Sequence, residues 1–322
     1  MTRRHCLLAL LVAVLWGLNF VAIDLGLHPA DGAEVPPLLF VALRFALVVL
    51  PWIFFIRKPD ISWTAIIGVG LFMSAGQFGL LYLAISLGMP AGLASLVLQA
   101  QVLLTVLLAA VFLGDRPRPL QLAGLVLGAL GLLVVAFGRS AVAPLLPLVV
   151  VLAAALSWAV GNVIARRARA ASGLGLVVWS GAVVPLPLLG LSLVVDGPAA
   201  VGDALLHLQP VTIASALYTA ALASLVGYGI WNHLLAVYEP ASVVPFTLLV
   251  PVVGMGAAWL VLAEVPSAVE VLVAVVLLAG VATALARPRR VRHHRDTPMN
   301  PGPAPRLQAV VRDADRQTQG AS

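Results

Sequence analysis

Charged side chains are too few in this sequence to coat a water-facing surface. They make up 10% of its 322 residues, against 61% hydrophobic ones, whereas a soluble globular chain carries about 25% and about 45–50%. With a mean hydropathy of +1.07, this scarcity excludes an ordinary soluble domain and disfavours even a very apolar α/β protein. Cysteine is reduced to Cys6, so no intramolecular disulfide can form. HExxH, GxSxG and Walker A patterns are missing, as is any Cys/His metal cluster. Those absences leave an enzyme, a metal or a cofactor without support, and they argue against ATP-driven transport by this chain. Asp115, Glu239 and Glu264 stand at the ends of apolar runs rather than deep within them. No proton carrier is evident, and the energy source is unassigned.

What the sequence does contain is a succession of long apolar runs. A helix needs roughly 20 apolar residues to cross the hydrocarbon. Spans are expected at 6–27, 37–56, 64–87, 91–113, 119–137, 145–165, 174–195, 211–236, 241–262 and 267–286. Turn residues separate them, as at Lys58-Pro59-Asp60, Gly88-Met89-Pro90 and Asp196-Gly197-Pro198. The fold class is therefore an all-α integral membrane protein of about ten transmembrane helices. The basic start before the first run resembles a secretory signal, but no A-x-A-like cleavage site follows. It reads as an uncleaved first helix. Residues 287–322, rich in Pro, Arg and Gln without apolar periodicity, are expected to form a disordered tail.

The positive charge is placed for membrane orientation, not for nucleic acid. With a cytoplasmic N-terminus, 17 of the 19 basic residues fall inside, leaving Arg139 outside and Arg44 within the bilayer. This asymmetry follows the positive-inside rule. It predicts an even number of spans in a bacterial inner (plasma) membrane, with both termini cytoplasmic.

The chain also repeats itself. Trp16-Gly17-Leu18-Asn19 is echoed by Trp158-Ala159-Val160-Gly161-Asn162. The stretch from Met89-Pro90-Ala91 to Gly114-Asp115 is echoed by Glu239-Pro240-Ala241 to Ala263-Glu264. Five spans per repeat is an odd number, so the copies insert in opposite directions, at 6–137 and 145–286. Inverted repeats are an architecture of secondary transporters, with a substrate site between them near the midplane.

These segments, together with Leu43-Arg44-Phe45, resemble the EamA family of the drug/metabolite transporter superfamily. The resemblance implies two five-helix repeats and a small-molecule substrate. A narrower resemblance, to exporters of O-acetylserine and cysteine within that family, rests on Gly88 to Gln101, Val226 to Trp231 and Ser242 to Val253. It implies export of small amino-acid metabolites. Rival readings are transport of another metabolite or a drug-like compound, and a membrane-embedded enzyme. Asp24 departs from the family, which often has lysine there.

Polar residues inside the spans are the candidate binding groups, because an intramembrane polar side chain needs a partner or a watery cavity. Arg44 lies about 10 Å into its span at about 1.5 Å rise per residue. It is placed either to pair with Asp24 or a carbonyl, or to contact substrate. Gln77, Gln99 and Gln101 are candidates for cavity lining or interhelical bonds. The spacing of two puts Gln99 and Gln101 on different helix faces. Trp16 and Asn19, like Trp158 and Asn162, share roughly one face each, offering an amide and a cation–π wall to a zwitterion. Tyr228, Trp231 and Asn232 gather on one span, whereas His233 near its end reads as solvated or structural. Gly124-x-x-x-Gly128 fits close helix packing, within the monomer or across a homodimer.

Overall fold

In a chain this apolar, backbone N–H and C=O groups find partners most readily within one segment, as a helix provides. The computed structural model describes residues 1–30, 32, 34–137, 145–169, 173–238 and 240–285, with no strand among them. In order come α1 (Arg3–Leu27), α2 (Pro37–Val49), α3 (Trp63–Ser86), α4 (Ala91–Leu113), α5 (Pro119–Phe137) and α6 (Leu145–Arg167). Then follow α7 (Leu174–Val195), α8 (Pro198–Leu206), α9 (Pro210–Val237), α10 (Val244–Leu262) and α11 (Ala268–Leu285). Seven of them (α1, α3, α4, α6, α7, α9 and α10) are long and apolar enough to cross a membrane. α2, α5 and α11 are apolar over shorter described stretches. Among the described residues, length and composition alone therefore mark seven of the ten expected spans. The expected tail, 287–322, lies outside the described residues.

Local chemistry explains the helix ends. Ser62 Oγ accepts from Ala65 N–H at 3.2 Å before α3. Ser267 and Glu270 bond reciprocally at 2.6 and 3.2 Å to open α11, a capping box. α4 ends on Gly114 at φ +69° and α10 on Ala263 at φ +57°. The left-handed turn suits glycine and strains alanine.

Two expectations need correction. The second span was expected to reach residue 56, but α2 is 13 residues long and stops at Val49. Pro51 has no N–H to donate, and its ring opposes continuation of the helix. α8 was not foreseen. Its signal was Gly197-Pro198, a positive-φ glycine followed by proline at the first helical position.

Packing joins α1 to α10, α4 to α6, α3 to α6, α4 to α10, α2 to α7 and α5 to α11. Two helices are irregular at matching places: α3 winds as a π-helix over Gly70–Gly76, and α9 does so over Tyr218–Val226. Wider winding displaces carbonyls from the regular ladder, and side chains from neighbouring helices use them. Ser157 Oγ donates to Phe72 O at 2.7 Å, and Trp16 Nε1 donates to Ala223 O at 2.9 Å. Large apolar side chains such as Leu107, Val111, Leu186 and Leu260 remain exposed on the outer helix faces. Such faces suit contact with lipid.

Candidate substrate cavity

Helices α1, α2, α3, α4, α6, α9 and α10 enclose a cavity of about 120 Å³. One water needs about 10–15 Å³ by the same measure, so several waters or a small metabolite fit. Trp16, Asn19, Arg44, Gln77, Gln99, Gln101, Trp158 and Tyr228 line it. A smaller cavity of about 60 Å³ adjoins, sharing Phe78, Trp158 and Tyr228 and lined also by Ser74, Ser180 and Ser224.

Arg44 is the charge at the centre. Its side chain is 1% exposed. Nη1 donates to Tyr82 Oη at 3.1 Å and Nη2 to Ser224 Oγ at 3.0 Å. The guanidinium carbon lies 4.0 Å from the centre of the Phe78 ring, a cation–π contact. These contacts tie α2 to α3 and α9. The alternative of an Arg44–Asp24 pair is not formed: Asp24 instead bonds His28 at 3.2 Å. That hydrogen bond raises the His28 pKa above its usual value, outweighing partial burial. No acidic side chain lies within 4.0 Å of Arg44 among the described residues. Its Nε, together with Asn19 Oδ1 and Gln77 Oε1, is buried without a partner.

The glutamines of α4 both reach the cavity although regular helical spacing would separate them. Around them the winding tightens, with Gln99 N bonded to Leu96 O, Gln101 N to Leu98 O and Val102 N to Gln99 O. Such i→i−3 bonds mark a turn of about 3.0 residues. That rotation draws positions two apart closer to one face than the usual 3.6 residues per turn does. Gln99 also donates to Thr247 O of α10 at 3.1 Å.

Other candidates lie elsewhere. Asn162 donates to Thr105 Oγ1 at 3.2 Å, joining α6 to α4 away from the cavity. Trp231 packs on Trp16 at 5.2 Å between ring centres, within a separate apolar cluster around Leu234. Asn232 is half-buried and does not line the cavity. Gly124 and Gly128 face Gly280 of α11 inside the monomer, where a Cβ on Gly280 would meet Gly128 N at 2.6 Å. Phe78, Ser95, Thr247 and Ser224 were missed, because a lone hydroxyl or phenyl group in an apolar run carries no periodic signal. Tyr82, four residues after Phe78, could have been found as the polar tip on the same face.

At one end of the bundle Glu264 accepts from the N–H groups of Ala91 and Gly92 at 2.9 and 3.0 Å. Burial pushes its carboxyl pKa up, and the two N–H bonds pull it partly back. At the end of α4, Asp115 accepts two bonds from Arg166, at 2.6 and 3.1 Å.

The pattern of the EamA-like transporter family matches this sequence twice, over residues 3–137 and 145–286. A probable amino-acid metabolite efflux pump of Escherichia coli (strain K12) is 43% identical over 87% of this chain and 94% of its own. The protein of that name in Salmonella typhimurium is also 43% identical, over 87% and 94% of the two chains. A probable terminal-alkyne amino-acid exporter of Streptantibioticus cattleyicolor is 31% identical over 89% and 95%. A protein crystal structure at 22% identity superposes with a TM-score of 0.57, over 88% of this chain and 97% of the other. The two share a fold.

Proposed function

Because the chain belongs to the EamA-like transporter family, we infer that it exports small amino-acid metabolites, such as cysteine or O-acetylserine, across a bacterial inner membrane. It is a membrane transporter for small molecules rather than an enzyme. The observation that carries the substrate reading is a tryptophan-walled cavity, lined by Asn19, Arg44 and three glutamines, inside an apolar helical bundle. Its amides offer both donors and acceptors, as a zwitterion requires. The names of the two relatives at 43% identity support the same class.

Ten spans in two inverted five-helix repeats, with both termini cytoplasmic, complete the proposal. The packing supports it. Exchanging each span for the one five later turns the α1–α10 contact into the α6–α4 contact, and maps α2–α7, α4–α10 and α5–α11 onto themselves. The same exchange relates the π-helical stretches of α3 and α9 and the side chains of α1 and α6 that bond them.

A metabolite screen of media from cells with and without the overexpressed protein tests the substrate class. Accumulation of cysteine, O-acetylserine or a related amino acid, scaled to membrane abundance, is expected. Accumulation of none of these would remove the substrate reading. For topology, reporter fusions after Ser322 and within 28–36 should report opposite compartments, the C-terminal one cytoplasmic.

A further inference from the structure

Arg44 is a full positive charge removed from water, with no carboxylate beside it among the described residues. A buried charge is stable only when paired, hydrogen-bonded or reached by water or a ligand. Two of its nitrogens are used, by Tyr82 and Ser224, but Nε has no partner. Two other buried atoms, on residues that line the cavity, share that condition, and both are acceptors: Asn19 Oδ1 and Gln77 Oε1. The residues that line the cavity therefore carry one unfilled cationic donor and two unfilled neutral acceptors just behind its surface, and among the described residues no acidic side chain lines it.

This set is complementary to one arrangement of charge. A carboxylate neutralises the guanidinium. A primary ammonium finds the amide oxygens, but no carboxylate of the protein to pair with. A ligand that is only cationic meets an uncompensated like charge, which low polarity strengthens. Resting on the exporter reading above, we propose that Arg44 is the carboxylate seat of the cavity. A free carboxylate is then the group that substrates must carry, the ammonium being held secondarily by Asn19 and Gln77. The adjoining cavity of about 60 Å³, with hydroxyls at Ser74, Ser180 and Ser224 and no charged residue, receives a short uncharged side chain. Cationic drug-like compounds are excluded by the same charge.

The test is a ligand series in inside-out membrane vesicles, scored against vesicles lacking the protein. The probes are cysteine, cysteine methyl ester, cysteamine (no carboxylate) and 3-mercaptopropionate (no ammonium), all kept reduced. With wild-type protein, 3-mercaptopropionate competes with labelled cysteine, while the ester and cysteamine compete about ten- to a hundredfold more weakly, as expected for a lost bond to a charged group. Arg44→Gln should abolish the preference for acid over ester, and Arg44→Lys should retain part of it. Tyr82→Phe, which removes one bond but no charge, should keep the preference. Because the acid-to-ester ratio is internal to each variant, it does not depend on protein amount. Should the Arg44 variants fail to fold, the wild-type series decides alone. Equal competition by ester, amine and acid overturns the carboxylate seat while leaving the exporter standing. If neither cysteine nor O-acetylserine is taken up above the empty vesicles, the exporter reading falls and the seat with it.

Discussion

Asn19 and Asn162 close the two Trp–Asn runs, three and four residues after their tryptophans, yet their surroundings differ. Asn19 lines the cavity with its Oδ1 buried and unpartnered, whereas Asn162 bonds Thr105 between two helices. Asn19→Ala should lower export per molecule, with affinity down about ten- to a hundredfold, at unchanged abundance. Asn162→Ala should lower thermal stability and leave transport per surviving molecule near normal. Export normalised to membrane abundance separates the two, and equal behaviour of both variants would count against the cavity assignment. Intramembrane polar residues such as Asn19, Arg44 and Gln99 stood out in the sequence because lipid tolerates so few of them. Which face each occupies depends on local helix rotation, so Asn162, Trp231 and Asn232 could not be separated from the lining. His28 offers a pH test. Its pKa is raised above 6.5, first by the hydrogen bond to Asp24. The stability that it contributes is fully present below 6.5 and lost as pH rises through the raised value. The thermal-midpoint difference between wild type and His28→Gln should shrink from about pH 6 to about pH 9. A pH-independent difference would show that the pair contributes nothing.

At the scale of helices, most boundaries were legible because prolines and glycines punctuate the apolar runs. α4 begins and ends, and α5 begins, where the turn residues place them. Irregular winding was not legible. Nothing in Gly70–Gly76 or Tyr218–Val226 distinguishes a π-helix from an α-helix by composition, because the choice depends on side chains from other helices. The glycines of α5 show the same dependence. Their spacing announces close packing, but only the structure identifies Gly280 as the partner. Gly280→Ala forces α5 and α11 apart, since the added methyl meets Gly128 N at 2.6 Å and Gly124 O at 2.9 Å. Overpacking of this kind costs about 1–3 kcal/mol. A lower melting temperature in detergent is expected, whereas Gly256→Ala, with nothing within 4 Å of the new methyl, should melt like wild type. Equal melting of both variants would deny the tight contact.

For the whole molecule, the proposed inverted repeat makes the two ends of the bundle counterparts, yet they are not in the same state. Glu264, after α10, closes onto the first N–H groups of α4, where a carboxylate is favoured by unpaired donors and the helix dipole. Its counterpart after α4 is Asp115, which faces Arg166 instead. Alternating access requires that one end open as the other closes, largely by rigid-body motion of one repeat against the other. A carboxylate latched at one end and drawn aside at the other is the asymmetry that such a cycle needs. Glu264→Ala removes both acceptors, and bonds to a charged group contribute about 1.5–3 kcal/mol. The population open at that end should therefore rise about tenfold or more. With Cys6 replaced by serine, a cysteine at Ser95 in the cavity reports access to a membrane-impermeant thiol reagent. Labelling from the Glu264 side should quicken in the Glu264→Ala background. Arg166→Gln frees Asp115, so labelling from the opposite side should slow. If neither rate changes from its single-cysteine parent, the two carboxylates do not govern access, and the asymmetry between the ends is a packing difference alone.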